Sequence, residues 1–368
     1  MTVDPDALRR AGSVAPTVAG DRILLARELR GWTQAELVAH TDNAFSTAAL
    51  SQLEQGRTRP TPPTLVAIAD ATACPLEFFV RRPGDQQRPG FFRSLKSTSA
   101  RARRQHLARA RLLHDFVSAL EEHVALPDLD IPRRRIDGTS SPADAARAVR
   151  EQWDLGDEPI ANVVRELERH GVVVVRNAHF EREVDAFSVR YADRPIIVLG
   201  SEKAVTARSR FDAAHELGHL VMHRSADAGE RDTEREAHAF AAEFLMPAAQ
   251  IRAELPDTVD WSALMRLKAK WRVSIAALLL RARDLEVIPA HRYVNAVKAM
   301  SARGWRVREP GDANLGPLEA PVLLQRALDV LRRHDITIDT IATEAALPAG
   351  ELHELLEGVR DPRPSIQL

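Results

Sequence analysis

The sequence predicts a mostly helical α+β protein, and three observations carry that prediction. Residues 21–82 break into short helical segments separated by capping and turn residues. Three β-branched runs, at 171–175, 184–189 and 195–199, are bounded by turn residues and read as a small sheet. From residue 209 onward, apolar residues recur at helical spacing. A chain of 368 residues exceeds one ordinary domain, so two or three compact units are expected.

Residues 1–20 mix Pro, Gly, Ala and Asp without periodicity and read as a flexible tail. An all-α domain follows at 21–82. In it Thr33 caps a helix through Leu37 and Val38, and Ser46 caps another through Leu50 and Leu53 that stops at Gly56. Pro60, Pro62 and Pro63 force a break before a third helix. Residues 83–137 read as a basic linker containing a long helix at about 99–124, with Leu113, Phe116 or Val117, Leu120 and Val124 on its apolar side. A mixed domain is expected at 138–300. Gly304, Pro310, Gly311 and Gly316 then mark a linker to a last helical unit within 301–368, where the segments at 338 and 348 look like another short helix-turn-helix.

No run of about 18 apolar residues predicts a membrane span, and the acidic N-terminus lacks the apolar core of a secretory signal. Cys74 is the sole cysteine, which excludes an internal disulfide and fits a reducing cytoplasm, the expected location. The net charge of -1 gives no overall pull toward nucleic acid, but residues 86–111 hold eight basic residues (Arg88, Arg93, Lys96, Arg101, Arg103, Arg104, Arg109 and Arg111) and no acid. That run reads either as an extension of a phosphate-contacting surface or as a solvated helix face.

The chemistry concentrates in the helix carrying His215-Glu216-Leu-Gly-His219. Two histidines one turn apart put their Cβ atoms about 5–6 Å apart on one face, a separation from which both rings reach one ion. A chance match to His-Glu-x-x-His has a probability of roughly a few per cent in a chain with this many histidines. The apolar flanks, Phe211, Ala214, Leu217, Leu220 and Val221, place the helix in a core, where two histidines and a glutamate without a partner would cost several kcal/mol. A third ligand comes from elsewhere, and Glu234 on the next helix is the candidate, with Glu236 as its rival. His238 stands one turn after Glu234, and His223 one turn after His219; both read as supporting groups around the metal.

Residues 138 to about 300 resemble the ImmA/IrrE family of zincin-like metallopeptidases, through Arg210-Phe-Asp-Ala-Ala-His215-Glu216-Leu-Gly-His219 and Glu234-Arg-Glu236-Ala-His238-Ala-Phe240-Ala-Ala-Glu-Phe-Leu-Met246-Pro247. The resemblance implies one zinc per chain on His215, His219 and Glu234, with Glu216 as general base and later proton donor in peptide hydrolysis. It also implies a protein substrate, a repressor or antitoxin-like regulator. One position departs from the pattern: the family commonly has Asn or Asp where His238 stands. A substrate segment is expected to add as a strand to an edge formed by 184–189 or 195–199.

Residues 21–82 resemble the XRE type of helix-turn-helix, through Leu29-Arg-Gly-Trp32-Thr33-Gln34-Ala-Glu36-Leu37 and Leu50-Ser51-Gln52-Leu53-Glu54-Gln55-Gly56-Arg57-Thr-Arg59-Pro60. This implies binding of double-stranded DNA, by default as a homodimer. Gln34, Arg57 and Arg59 suit phosphate contacts and Thr47, Ala48 and Gln52 the base edges, with Ser46 and Ser51 completing the DNA-facing set. The turn from His40 to Phe45 is about two residues longer than usual in that family. The resulting expectation is a cytoplasmic regulator joining DNA binding to a zinc endopeptidase. The alternative is a transcription factor or antitoxin-like binding protein whose peptidase-like domain is a non-cleaving sensor or dimerisation module.

Overall fold

The computed structural model of the chain describes residues 4–80, 99–137, 139–176, 186–191, 193–200, 205–223 and 230–360. Five helices open it: α1 (Pro5–Val14), α2 (Gly20–Leu29), α3 (Gln34–His40), α4 (Thr47–Glu54) and α5 (Pro62–Thr72). The local signals act as the sequence implies. Thr33 and Glu36 form a reciprocal capping box on α3, Ser46 accepts the Ala49 N–H at the start of α4, and Thr61 does the same for α5. The extended turn after α3 is made by Asp42 and Asn43, both left-handed at φ 51° and 55°, a conformation their short polar side chains tolerate.

From Asp4 onward the expected flexible tail is folded. Asp4 caps α1, Pro5 occupies its first turn, and Ala11, Val14, Ala15 and Val18 are buried against the rest of the bundle. Small apolar residues spaced about a turn apart were enough to make one face, despite the polar composition. Gly20 then lets the start of α2 abut the end of α4, because a Cβ there would lie 2.3 Å from the Leu53 carbonyl oxygen.

Helix α6 (Ala100–Leu120) starts at the Ser99 cap and buries Leu113, Phe116, Val117 and Leu120, with both sequence alternatives at 116 and 117 turned inward. It is not a spacer. It lies along α2, and three of its arginines are engaged within the chain on this stretch: Arg101 donates to Glu36 at 2.9 Å, Arg104 approaches Glu28 at 3.7 Å, and Arg111 donates to Asp115 at 2.9 Å. The buried Arg22 of α2 donates to Asp115 at 2.5 Å. Arg88, Arg93 and Lys96 lie outside the described residues.

Helices α7 (Pro142–Gln152) and α8 (Val163–Arg169) lead into three strands, β1 (Val173–Arg176), β2 (Ala186–Val189) and β3 (Ile196–Leu199). The order is β1-β3-β2: β1 pairs parallel with β3 (Val173 opposite Ile196) and β2 antiparallel (Ser188 opposite Ile197). The run at 195–199 is therefore the central strand and offers no free edge. Strand β2 has no second partner among the described residues; Val184 and Asp185 of the expected run lie outside them.

Alternate residues of this sheet feed two cores, as a period of two requires. Val173, Val175, Phe187, Val189, Ile196 and Val198 pack with the N-terminal bundle and α6. Val174, Ala186, Ile197 and Leu199 pack with α7, α8 and the helices that follow. Those are α9 (Thr206–Met222), α10 (Glu230–Leu245), α11 (Ala248–Glu254), α12 (Trp261–Trp271), α13 (Ile275–Asp284) and α14 (Ala290–Ala302).

The segment expected to be a linker beyond 301 is instead bound to this second core. Lys268, buried, donates to Glu309 at 2.8 Å and to Asp312 at 2.5 Å, and buried Glu319 accepts from Arg210. Glu319 also accepts the Val164 N–H at the start of α8, while Glu168 near the end of α8 accepts the Val322 and Leu323 N–H groups. The latter serves α15 (Leu323–Arg332), which has no capping side chain of its own. Burial pushes the Glu168 carboxyl up to about 7. Helices α16 (Ile338–Glu344) and α17 (Ala349–Arg360) then return to the first core, where buried Glu351 accepts from Arg109 at 3.1 Å and lies 3.6 Å from Arg30. The C-terminal unit is thus part of the same wall as α6, for which Leu352, Leu355 and Leu356 supply the apolar face.

Burial alone would raise the Asp115 carboxyl, but His114, Arg22 and Arg111 beside it hold it well below the usual range. Replacing Asp115 by Asn should cost about 3–5 kcal/mol in urea unfolding, because the buried Arg22 and its neighbour Arg111 lose this shared carboxylate. The contribution of a depressed carboxylate is present above its ordinary pKa and is lost as pH falls through and below that range, so the wild-type advantage over Asp115→Asn should shrink in acid.

Candidate functional site

Helix α9 is buried along its whole second half, from Ala213 to Met222, with His215 and His219 at 9% and 5% exposure and Glu216 at 3%. Its partner α10 comes unusually close. A Cβ on Gly218 would meet the Phe240 ring at 3.0–3.2 Å, so the glycine between the two histidines sets the distance at which α10 lies. That approach carries the Glu234 carboxylate to 3.5 Å from His215 Nε2 and 3.4 Å from His219 Nε2, while the two Nε2 atoms are 3.1 Å apart.

The two carboxylate contacts, made by opposite oxygens of Glu234, have the length expected between ligands of one zinc, and the contact between the imidazoles is shorter. Zinc bonds of about 2.0–2.2 Å to nitrogen and carboxylate oxygen give ligand separations of about 3.3–3.6 Å. Burial holds both imidazoles in the neutral form, His219 at about 4, and so keeps their lone pairs free for an ion. At Glu234 burial works against ionisation, but the two histidines hold the carboxyl well below the usual range. The donor set, two neutral imidazoles and one carboxylate, suits a divalent zinc.

Around this trio, His219 Nδ1 meets His223 Nδ1 at 2.9 Å, and His223 Nε2 meets Glu236 Oε2 at 2.9 Å. A carboxylate accepts, so His223 Nε2 carries the proton and His223 Nδ1 accepts from His219 Nδ1–H. This chain fixes His219 in the tautomer that turns its Nε2 lone pair toward Glu234 and His215. Glu236, the rival third ligand, is instead the end of that relay. His238 is exposed; its Nδ1 is 2.8 Å from the Glu234 carbonyl oxygen, and its ring stands 4.5 Å from that of His215.

Glu216 points to the sheet side, where the Ser188 hydroxyl of β2 donates to its Oε2 at 2.6 Å. Burial, with Asp212 and Glu234 nearby, pushes the Glu216 carboxyl up to about 8 in the metal-free protein, against the pull of Ser188. Sequence reasoning did not single out Ser188. Its signal was there: of the two polar residues in the run at 184–189, Asp185 and Ser188, the second is in phase with Ala186 on the face that meets α9.

On the helix-turn-helix side, Ser46, Thr47, Ala48 and Arg57 are exposed, and Ser51 and Gln52 are half-buried on α4. Ser46 spends its oxygen on the helix cap, and Ser51 accepts from Gln55 at 3.0 Å. Gln34 is placed otherwise than expected: its amide donates to Glu54 at 2.7 Å, inside a network in which Arg27 also grips Glu54 at 2.6 Å. Arg59 donates to the Val18 carbonyl, fastening the turn after α4 to the start of α2.

The fold and the site together define a class, a small DNA-binding-type helical bundle joined to a His-Glu-x-x-His domain of the peptidase kind. The family models agree: the IrrE N-terminal-like domain matches residues 167–283, and the helix-turn-helix matches residues 23–79. The chain is thus a fusion of an XRE-type helix-turn-helix domain with an IrrE-like peptidase-family domain. No curated protein matches it. No helix among the described residues is long and apolar enough to cross a membrane.

Two outcomes follow from the packing. Gly218→Ala should lower stability by about 1–3 kcal/mol through overpacking against Phe240 and should weaken zinc binding in a chelator competition, because α10 must move away. In chelator-treated protein, the raised Glu216 pKa contributes stability that is complete below the ordinary carboxylate range and is lost as pH rises through about 8. Melting temperature should therefore fall over that window in wild type, with a shallower fall in Glu216→Gln.

Proposed function

We propose that the chain is a DNA-binding regulator whose peptidase-like domain is a zinc-dependent endopeptidase acting on a repressor or antitoxin-like regulatory protein. The observation that carries this reading is the convergence of His215, His219 and the Glu234 carboxylate within 3.1–3.5 Å of one another, with a buried carboxyl next to His215. His215 Nε2, His219 Nε2 and one Glu234 oxygen would hold the metal. Bound zinc polarises a peptide carbonyl and lowers the pKa of water from about 15.7 toward ~7.

The remaining steps belong to the chain. Glu216 removes a proton from the attacking water and returns it to the departing amine nitrogen, and a carboxyl with a raised pKa suits both transfers near neutral pH. Ser188 keeps Oε2 occupied and so leaves Oε1 for the exchange. The substrate lies as an added strand along β2, the strand that also carries Ser188. Exposed Thr47 and Ala48, with Gln52 beside them, face the base edges of double-stranded DNA, and Arg57 and Arg59 its phosphates, two copies of the chain reading two half-sites.

Wild type and Glu216→Gln incubated with host-cell extract separate turnover from mere metal binding. New protein N-termini should arise with wild type alone, while both proteins retain one zinc; equal zinc with no Glu216-dependent cleavage replaces the endopeptidase by a non-cleaving sensor. For DNA, Arg57→Ala should weaken binding uniformly across sequences and reduce the salt slope by about one phosphate contact. A slope unchanged by Arg57→Ala removes that residue from the interface.

A further inference from the structure

We propose that His238 is a fourth protein ligand of the metal site, so that the resting site is closed and opens when this one imidazole leaves. The inference rests on the reading above, in which zinc sits on His215, His219 and Glu234. Its own observations concern how His238 sits against His215 and Glu234, in a group of potential ligands that does not include His219.

His238 lies one turn after Glu234 on α10, and one ligand atom each from His215, Glu234 and His238 all lie within 4.8 Å of one another. The ring is T-shaped to His215 at 4.5 Å and tilted against Phe211 at 5.7 Å, so it lies over the site from the α10 side. Its protonation follows from its backbone partner. The Glu234 carbonyl can only accept, so His238 Nδ1, 2.8 Å away, carries the hydrogen. In a neutral ring Nε2 is then a bare lone pair. Such a nitrogen binds a cation; it cannot donate to an oxyanion, the other task open to a histidine beside a peptidase metal.

Counting donors gives the consequence. Three imidazoles and one carboxylate complete a tetrahedron, the arrangement of a closed site, whereas hydrolytic sites keep one position for water. The four ligands differ in how firmly they are set. His215 and His219 are buried within α9, and His219 is braced by the His223–Glu236 relay, while His238 is exposed. Rotation of the His238 side chain into solvent opens one position and leaves three ligands in place.

The test uses full-length wild type, His238→Asn and His238→Ala, each loaded with cobalt or zinc. Metal-edge X-ray absorption should count three imidazoles in wild type and two in both variants. Zinc affinity by chelator competition should fall by at least ~10–100-fold, the loss that follows even when only a supporting group is removed. Coincident melting curves in chelator show that the variants remain folded, as expected at an exposed position. Two imidazoles in all three proteins overturn the fourth ligand and leave the three-ligand zinc reading standing. Wild type that takes up neither metal overturns both.

Discussion

Everything functional in this chain hangs on a three-stranded sheet with no solvent face. Because both faces are apolar, each strand must be covered twice, and the two covers are the two functional parts. Phe187 turns toward α6, where its ring lies 6.3 Å from that of His106, while its neighbour Ser188 turns toward α9 and holds Glu216. One residue of register separates the DNA-reading half from the peptidase-like half. A slip of one position along β2 would exchange those two environments and leave a hydroxyl in one core and a phenyl ring against the general-base candidate.

The second constraint is the cost of polar groups on a buried helix. Helix α9 carries Arg210, His215, Glu216 and His219 into a core, and each is answered by a polar partner: Arg210 by Glu319, Glu216 by Ser188, and the histidines by Glu234 and by His223 at the end of α9 itself. Removing any one of these partners exposes a desolvated group rather than merely deleting a contact. The glycine between the two histidines leaves room for α10, since a Cβ there would press on the Phe240 side chain at 3.0–3.2 Å.

Much of this was legible in the sequence because the signals were local. Thr33, Ser46, Gly56 and the prolines at 60, 62 and 63 fixed the helices of the bundle, and the histidine spacing with Glu234 placed the metal-site candidates together. The misreadings were non-local. Pro and Gly near residue 310 signal a loop but cannot say that Glu309 and Asp312 neutralise a buried Lys268 on another helix. The basic run of α6 left a phosphate surface and a solvated face equally open, because the acids that meet Arg101, Arg104 and Arg109, namely Glu36, Glu28 and Glu351, are distant in sequence. Helix phase decided between Glu234 and Glu236, and phase relative to a neighbouring helix is set only by packing. Polar composition hid α1, whose buried residues are too small to stand out.

The pairing of Arg109 with Glu351 spans 242 residues, and through it the last helix closes the wall begun by the first bundle. A ribosome emitting the chain from its N-terminus therefore presents the DNA-reading helices long before Leu352 and Leu356 exist to cover α6. During that interval the part of α6 that α17 covers is open to water, the kind of exposed apolar surface that makes an incompletely folded chain prone to aggregate. Contacts of such sequence separation also predict slow, late consolidation of this core relative to the bundle's own local turns.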